Sequence, residues 1–340
     1  ELWRLEFTRQ ETGLHFYWFH IDKRDGGSFR LFRQGRDTNM EAGEKWQLSV
    51  IPADFRVPDF APGAVMYQIF PDRFARSGSS DLTGKLQPFW VHESPDELPE
   101  YRPDAQGEVR NNDFFGGNFA GIREKLPYLQ ELGVGVLYLN PIFMAWSNHR
   151  YDTADYRRPD PMLGTEEDFR ALCDAAHARG MRVILDGVFS HTGSNSVYFD
   201  AKHVFGHGAV SDPNSPYRRW YRFHHYPDDY EAWWGIRTLP CVEELDETYL
   251  NYIIEDEDSV IAHWLRLGAD GFRLDVVDEL PDAFLARLRE RIRQVAACAA
   301  GCGRSIRRAC CSARSGRTRR TSVPMAFPAA ILSTASWILS

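Results

Sequence analysis

Apolar and polar positions along the chain fall into two regimes that meet near residue 60. Residues 1–60 carry short aromatic-rich runs, Leu14-His15-Phe16-Tyr17-Trp18-Phe19 and Phe29-Arg30-Leu31-Phe32, parted by the turn signal Asp25-Gly26-Gly27. Runs of this kind bounded by glycine turns predict strands. Too few are visible to close a sandwich, so the segment reads as a partial N-terminal β-sandwich domain. Pro58, Pro62 and Gly63 then mark a linker.

Beyond the linker, short apolar runs alternate with helical periods. Strands are expected at 64–70, 134–139, 181–188 and 271–276. Helices are expected at 122–132, 165–179 and 260–267, the second opened by Thr165 with Asp168 three residues on, a variant of the capping box. Each strand run is apolar on both faces, as buried parallel strands are. Such alternation defines an α/β chain, either a (β/α) barrel or a doubly wound sheet. No glycine-rich phosphate loop follows any strand, which counts against a nucleotide fold. A closed barrel needs eight strands, and four are found. The expected architecture is therefore about the first half of a (β/α)8 TIM barrel over residues 63–295, with an inserted domain at about 192–250.

Charge sharpens the division. The net charge is −8, yet no acidic residue follows Glu290 and nine arginines do, so residues 1–290 alone carry −17. An acidic body argues against nucleic acid as the partner. A nucleic-acid-binding tail ranks last among the readings. Four of the six cysteines (Cys298, Cys302, Cys310, Cys311) lie in the basic tail, leaving only Cys173 and Cys241 elsewhere. That is no disulfide framework and suits a reducing, cytoplasmic setting. The tail cysteines lack histidines at zinc-finger spacing, so no metal site is read there. No run is long enough to span a membrane, and no signal peptide is visible. The chain opens in mid-pattern at Glu1-Leu2-Trp3 without a methionine, so an upstream segment, and with it secretion, stays open.

Candidate chemistry gathers at the strand ends. Asp186 ends one strand and His191 follows it. Arg273 and Asp275 alternate on another and so share a face. Asn148, His149, Tyr151 and Asp152 follow a third. In a barrel the C-terminal strand ends surround the active site. Taken singly, Asp186 or Asp275 could merely satisfy loop amides, and Asp278 or Asp282 could cap the helix near Pro281. Three clusters converging on one mouth favour a site.

At these residues the chain resembles the α-amylase superfamily. Asp186-Gly187-Val188-Phe189-Ser190-His191-Thr192-Gly193 is similar to that family's first signature, and Gly271-Phe272-Arg273-Leu274-Asp275 to its second. Tyr67-Gln68-Ile69-Phe70-Pro71-Asp72-Arg73-Phe74 resembles the first barrel strand of its neopullulanase and cyclomaltodextrinase branch. Phe115-Gly116-Gly117-Asn118-Phe119-Ala120-Gly121-Ile122, Asn148-His149-Arg150-Tyr151-Asp152 and Leu239-Pro240-Cys241-Val242-Glu243-Glu244 fit the same branch. The likeness implies a retaining glycosidase acting on α-glucans, which needs a carboxylate nucleophile and a separate acid. It implies Asp275 as nucleophile and Arg273 as the cation that keeps it ionised. His149 and His191 would bind sugar hydroxyls, Tyr151 would stack on a sugar ring, and Asp186 would support the site. Tyr67 and Trp234 join these as substrate-binding candidates. Trp220, Tyr221, Phe223 and Trp233 are further platforms, or else a small core of the insertion. No cofactor is required. A structural calcium ion is implied only weakly, because Ser190 and Asn118 stand where the family has an asparagine and an aspartate, and either change weakens a hard oxygen site. Dimers are common in this branch, which leaves a homodimer of the full-length parent open.

The family also needs a glutamate acid after the fifth strand, and residues 296–340 offer none. Residues 310–320 can be encoded so that a start two bases later reads Leu-Leu-Gly-Glu-Val-Trp-Glu-Asp-Ala-Ser, similar to the family's third signature. The same offset turns residues 336–340 into Leu-Asp-Ser-Val. The tail therefore reads as out of frame and poorly ordered, from a frameshift near residues 293–303, and the chain as inactive. The alternative is a non-enzymatic glucan-binding protein.

Overall fold

The computed structural model describes residues 4–301 and 335–339, apart from residues 36, 40, 41, 54, 106 and 108. The chain divides into two compact units, one holding residues 1–56 and the other beginning at Val57. In the first unit, β1 (Gly13–Tyr17) pairs antiparallel with β5 (Trp46–Val50). A second sheet runs β2 (Phe19–Asp22), β3 (Ser28–Gln34), β4 (Asp37–Asn39). The β2–β3 hairpin turns at the expected glycines, where Gly26 takes a positive φ that a side chain would resist. Tyr17 and Trp46 stack at 5.9 Å between centroids, and Trp18 stacks on Phe32 at 6.4 Å.

The second unit is built on a parallel sheet. Its elements run β6 (Met66–Ile69), α1 (Pro71–Phe74), β7 (Trp90–Val91), β8 (Asp113–Phe114), α2 (Phe119–Glu124), α3 (Leu126–Glu131) and β9 (Val136–Leu139). They continue β10 (Phe143–Ala145), β11 (Thr153–Pro159), α4 (Glu166–His177), β12 (Arg182–Gly187), β13 (Phe223–His225) and β14 (Asp229–Tyr230). Then come α5 (Glu247–Leu250), α6 (Val260–Leu267), β15 (Gly271–Asp275), α7 (Asp282–Gly301) and β16 (Ala335–Leu339). Strands β6, β9, β12 and β15 lie side by side and parallel, in chain order, with helices between them. This is the repeating unit of a (β/α)8 barrel. Strand β16 covers the free edge of β15 but runs antiparallel to it, whereas a barrel continues in parallel. The rest of the sequence-predicted tail lies outside the described residues, save for the end of α7.

Local signals explain most of the elements. Helix α4 opens on the reciprocal Thr165–Asp168 capping box. Ser259 caps α6, and Gly268 ends it at a positive φ. The single helix expected over 122–132 starts earlier, at Phe119, and is broken at Lys125. Pro127, near the start of α3, has no N–H to return to the preceding turn. Between sheet and helices lies one continuous core in which Trp264 is fully buried. Its indole N–H donates to the Tyr156 carbonyl at 2.7 Å, and its ring meets Phe143 at 5.1 Å and Phe169 at 5.2 Å. We expect Trp264→Ala to cost about 3–5 kcal/mol, read as a lower urea midpoint with an unchanged slope. A loss below about 1 kcal/mol would show that α6 does not hold the sheet.

Candidate active site

The strand ends bring four of the sequence-predicted residues, Asp186, Arg273, Asp275 and Tyr151, into one hydrogen-bonded cluster. Asp186 and Arg273 are register partners on β12 and β15, and Asp275 lies two residues on, on the same face. A single guanidinium nitrogen, Arg273 Nη1, donates to Asp186 Oδ1 at 2.8 Å and to Asp275 Oδ1 at 2.6 Å. Two tyrosine hydroxyls donate to the other oxygen of Asp186, Tyr138 at 2.5 Å and Tyr151 at 2.9 Å. Burial pushes Asp186 up to about 6 against the pull of Arg273 and these donors. Burial works against the charge of Arg273 too, but Asp186 and Asp275 outweigh it and hold the guanidinium above its ordinary value. Burial and the neighbouring Asp186 carboxylate raise both tyrosines, which stay neutral donors.

The two histidines flank this cluster as neutral rings, since burial lowers both. The Tyr151 N–H donates to His149 Nδ1 at 3.1 Å, which leaves the ring proton on Nε2. His191 Nδ1 faces Ser190 Oγ at 3.0 Å, and its Nε2 is buried without a hydrogen-bond partner. A buried ring nitrogen in that condition is costly unless a ligand completes it. Tyr67 stands apart, edge-on to Phe74 at 6.2 Å and part-buried against the core.

The loop after β12 carries the insertion, which bridges back at His191–Cys241 and Tyr221–Val242. Trp220 and Tyr221 are buried in the continuous core itself, where Trp220 meets the Tyr249 ring at 5.0 Å. Trp234 is different: it is 80% exposed and its backbone takes a left-handed φ of 50°. Such strain persists only where the surroundings enforce it. Glu279, four residues past Asp275, supplies the restraint. Its carboxylate accepts the indole N–H of Trp233 at 2.8 Å and that of Trp234 at 3.0 Å. The two indoles stack at 5.3 Å, and Trp233 in turn meets the His191 ring at 5.5 Å.

Tyr138, Asn140, Gln68 and Glu279 were not singled out from the sequence. For Tyr138 and Asn140 a signal existed, because alternate residues at a strand end share the face that holds the site. Glu279 carried none, since its partners lie about 45 residues away in the insertion.

At the Asn118 turn the residues present do not fit the calcium ion that the resemblance weakly implies. Asn118 Oδ1 accepts from Ser77 N at 3.2 Å and Gly121 N at 2.8 Å, while Asn118 Nδ2 donates to the Ser77 carbonyl at 2.8 Å. Both lone pairs of the amide oxygen are thereby used. The Arg76 side chain lies against Gly116 in the same turn, 3.5 Å from where a Cβ would stand, so a cation is already there.

Parallel strands in chain order with helices between them define a barrel-type α/β domain, and their ends join two aspartates through one arginine. The family model described as alpha amylase, catalytic domain, matches residues 68–296, and the chain belongs to that family. It is 37% identical to an amylopullulanase of Thermoanaerobacterium saccharolyticum over 332 aligned residues, covering 87% of this chain and 26% of that protein. It is 34% identical to neopullulanase 2 of Thermoactinomyces vulgaris, covering 71% of this chain and 38% of the relative. The solved type III pullulan hydrolase from Thermococcus kodakarensis matches with a TM-score of 0.58 at 30% identity, over 83% of this chain and 48% of that one. The chain therefore spans less than half the length of each of these relatives. The likeness to the neopullulanase branch drawn from the motifs holds.

The electrostatics give a direct test. The raised pKa of Asp186 means that folding favours its proton. This group adds stability below its ordinary value of 3.8 and ceases to do so as the pH rises through about 6. Arg273→Gln removes the opposing cation, so the carbon-13 titration midpoint of the Asp186 carboxyl should move above about 6. A midpoint that falls or stays fixed would deny the pairing.

Proposed function

We propose that the parent protein is a retaining α-glucan hydrolase or transglycosylase of neopullulanase type, acting on maltodextrin, starch, pullulan or cyclodextrin-like substrates. The observation that carries this is the Arg273 bridge between Asp186 and Asp275 at the strand ends of a family-matched segment. Asp275 Oδ2 would attack the anomeric carbon to form the glycosyl ester as the bond to the leaving oxygen breaks, and a separate acid would protonate that oxygen. Arg273, bonded to the other oxygen, would keep the nucleophile ionised. His191 Nε2 and the Nε2–H of His149 would meet sugar hydroxyls, Tyr151 would lie under the reacting ring, and Trp234 would hold a further glucose unit.

The chain itself lacks the acid on this reading. No Asp or Glu follows residue 290, and the family match ends at residue 296. Both features support an out-of-frame tail. General-acid help is worth about 10²–10⁴ in rate, so the 340-residue chain would bind glucan without turnover. The same absence favours a second reading, a glucan-binding protein that never had the acid. No helix among the described residues is long and apolar enough to cross a membrane, and the acidic body does not suit nucleic acid.

Three measurements follow. Maltoheptaose should quench the tryptophan fluorescence of this chain, and Trp234→Ala should weaken binding about tenfold, the worth of one stacked ring of roughly 1–1.5 kcal/mol. p-Nitrophenyl α-maltoside should release nothing with this chain and should release nitrophenol once the reading frame is restored. Turnover by the chain as it stands would overturn its inactivity, and no turnover after restoration would move the glucan-binding reading forward. A calcium chelator should leave the melting temperature unchanged, and a fall of several degrees would restore a metal to the Asn118 turn.

A further inference from the structure

One buried amide at the strand ends has no part in the chemistry described so far. Asn140 follows β9, shares a face with Tyr138, and is buried. Its Nδ2 donates to the Tyr151 hydroxyl at 3.0 Å, and its Oδ1 accepts from Gln68 Nε2 at 3.0 Å. Gln68 sits on the edge strand β6 and is itself exposed. The three contacts make a chain with a direction: Gln68 to Asn140, Asn140 to Tyr151, Tyr151 to Asp186.

That direction is enforced by chemistry. An amide oxygen only accepts and an amide NH₂ only donates. With Gln68 donating at one side, Asn140 turns its NH₂ towards Tyr151. A tyrosine hydroxyl holds a single proton. Once its oxygen accepts from Asn140, that proton is directed to the remaining acceptor in line, Asp186 Oδ2 at 2.9 Å. Successive donations polarise one another in a low-dielectric interior. The groups facing Asp186 are then Tyr138 and Tyr151 as donors, Arg273 as cation, and Asp275 as the opposing anion beyond it.

We propose that Asn140 is a positioning residue, its amide orientation set by Gln68, which fixes the proton of Tyr151 on Asp186 and so keeps that carboxylate ionised beneath Arg273. A protonated Asp186 would leave Arg273 with Asp275 alone and loosen the bridge that orients the nucleophile. The inference rests on the reading of Asp275, Arg273 and Asp186 as the reaction centre, but its measurement does not require a reaction.

The test follows the carbon-13 signal of the Asp186 carboxyl during pH titration of the 340-residue chain, assigned by its loss in Asp186→Asn. Asn140→Leu is neutral and of similar volume, so it removes the donor without adding charge. It should raise the Asp186 midpoint by about half to one pH unit, the scale of one ordinary hydrogen bond. Gln68→Met should raise it by less. Tyr151→Phe should raise it at least as far, and adding Asn140→Leu to Tyr151→Phe should move it no further, because the path is already cut. An unchanged midpoint in Asn140→Leu overturns the proposal. So does the same rise with and without Tyr151, which would show an effect of packing alone. If Asn140→Leu does not fold, the Gln68→Met and Tyr151→Phe pair closes the same cycle. Failure of the native chain to bind maltoheptaose would instead sink the proposed function, and the titration would still read the relay.

Discussion

A carboxylate buried among strand ends is the constraint around which the site is organised. Asp186 is 1% exposed, and an isolated charge in that position would cost far more than a small domain's net stability. The chain meets the cost by surrounding it. Arg273 takes one oxygen, and Tyr138 and Tyr151 take the other. Each donor comes from a different strand or its following loop, so the charge is tolerated only when β9, β12 and β15 are in register. The register pairs Ile184 with Tyr138 and Asp186 with Arg273; a one-residue slip on any strand would turn these side chains to the opposite face. The polar cluster thus depends on the apolar sheet, and the geometry of the sheet is what makes the cluster affordable.

The apolar frame was largely legible before the structure. Strands β6, β9, β12 and β15 fall inside the expected ranges, and α6 matches residue for residue, because runs that are apolar on both faces leave little ambiguity of period or burial. Boundaries drifted where backbone chemistry overrides composition, as at Pro127. The site was legible in its charged members and not in its amides. Asp186, Arg273 and Asp275 stand out as charges inside apolar strands, where each demands an explanation. Gln68 and Asn140 are uncharged and make no such demand. Only knowing that their strands are adjacent brings them together. Tyr67 meets Phe74 and the core, since an aromatic next to a motif need not point with it.

The insertion divides its aromatics by the same physics. Trp220 and Tyr221 pack inwards because the insertion must bury something to hold its shape. Trp234 is left outside, held in a strained backbone conformation by Glu279, which belongs to the turn after β15 rather than to the insertion. One carboxylate therefore fixes two indoles and ties the insertion to the segment that follows Asp275. Composition alone could not separate these roles, because both groups are tryptophan and tyrosine in loop-like sequence.

What the four parallel strands hold together follows from where each partner originates. Tyr138, Tyr151 and Arg273 on Asp186, and the cation on Asp275, all come from residues 138–273. The Trp233–Trp234 stack and its Glu279 clamp lie within 233–279. The cation on Asp275 and the clamped indole pair thus both lie within the segment from β9 to the turn after β15. Protonation of the leaving oxygen is the function left over, and it needs a carboxylic acid on the opposite side of the scissile bond, which strands on this side cannot supply. On the proposed reading, binding and catalysis therefore separate along the chain itself. The segment before residue 290 would hold the groups that recognise and polarise a glucan, and an active enzyme would require the acid together with the remaining strands that position it.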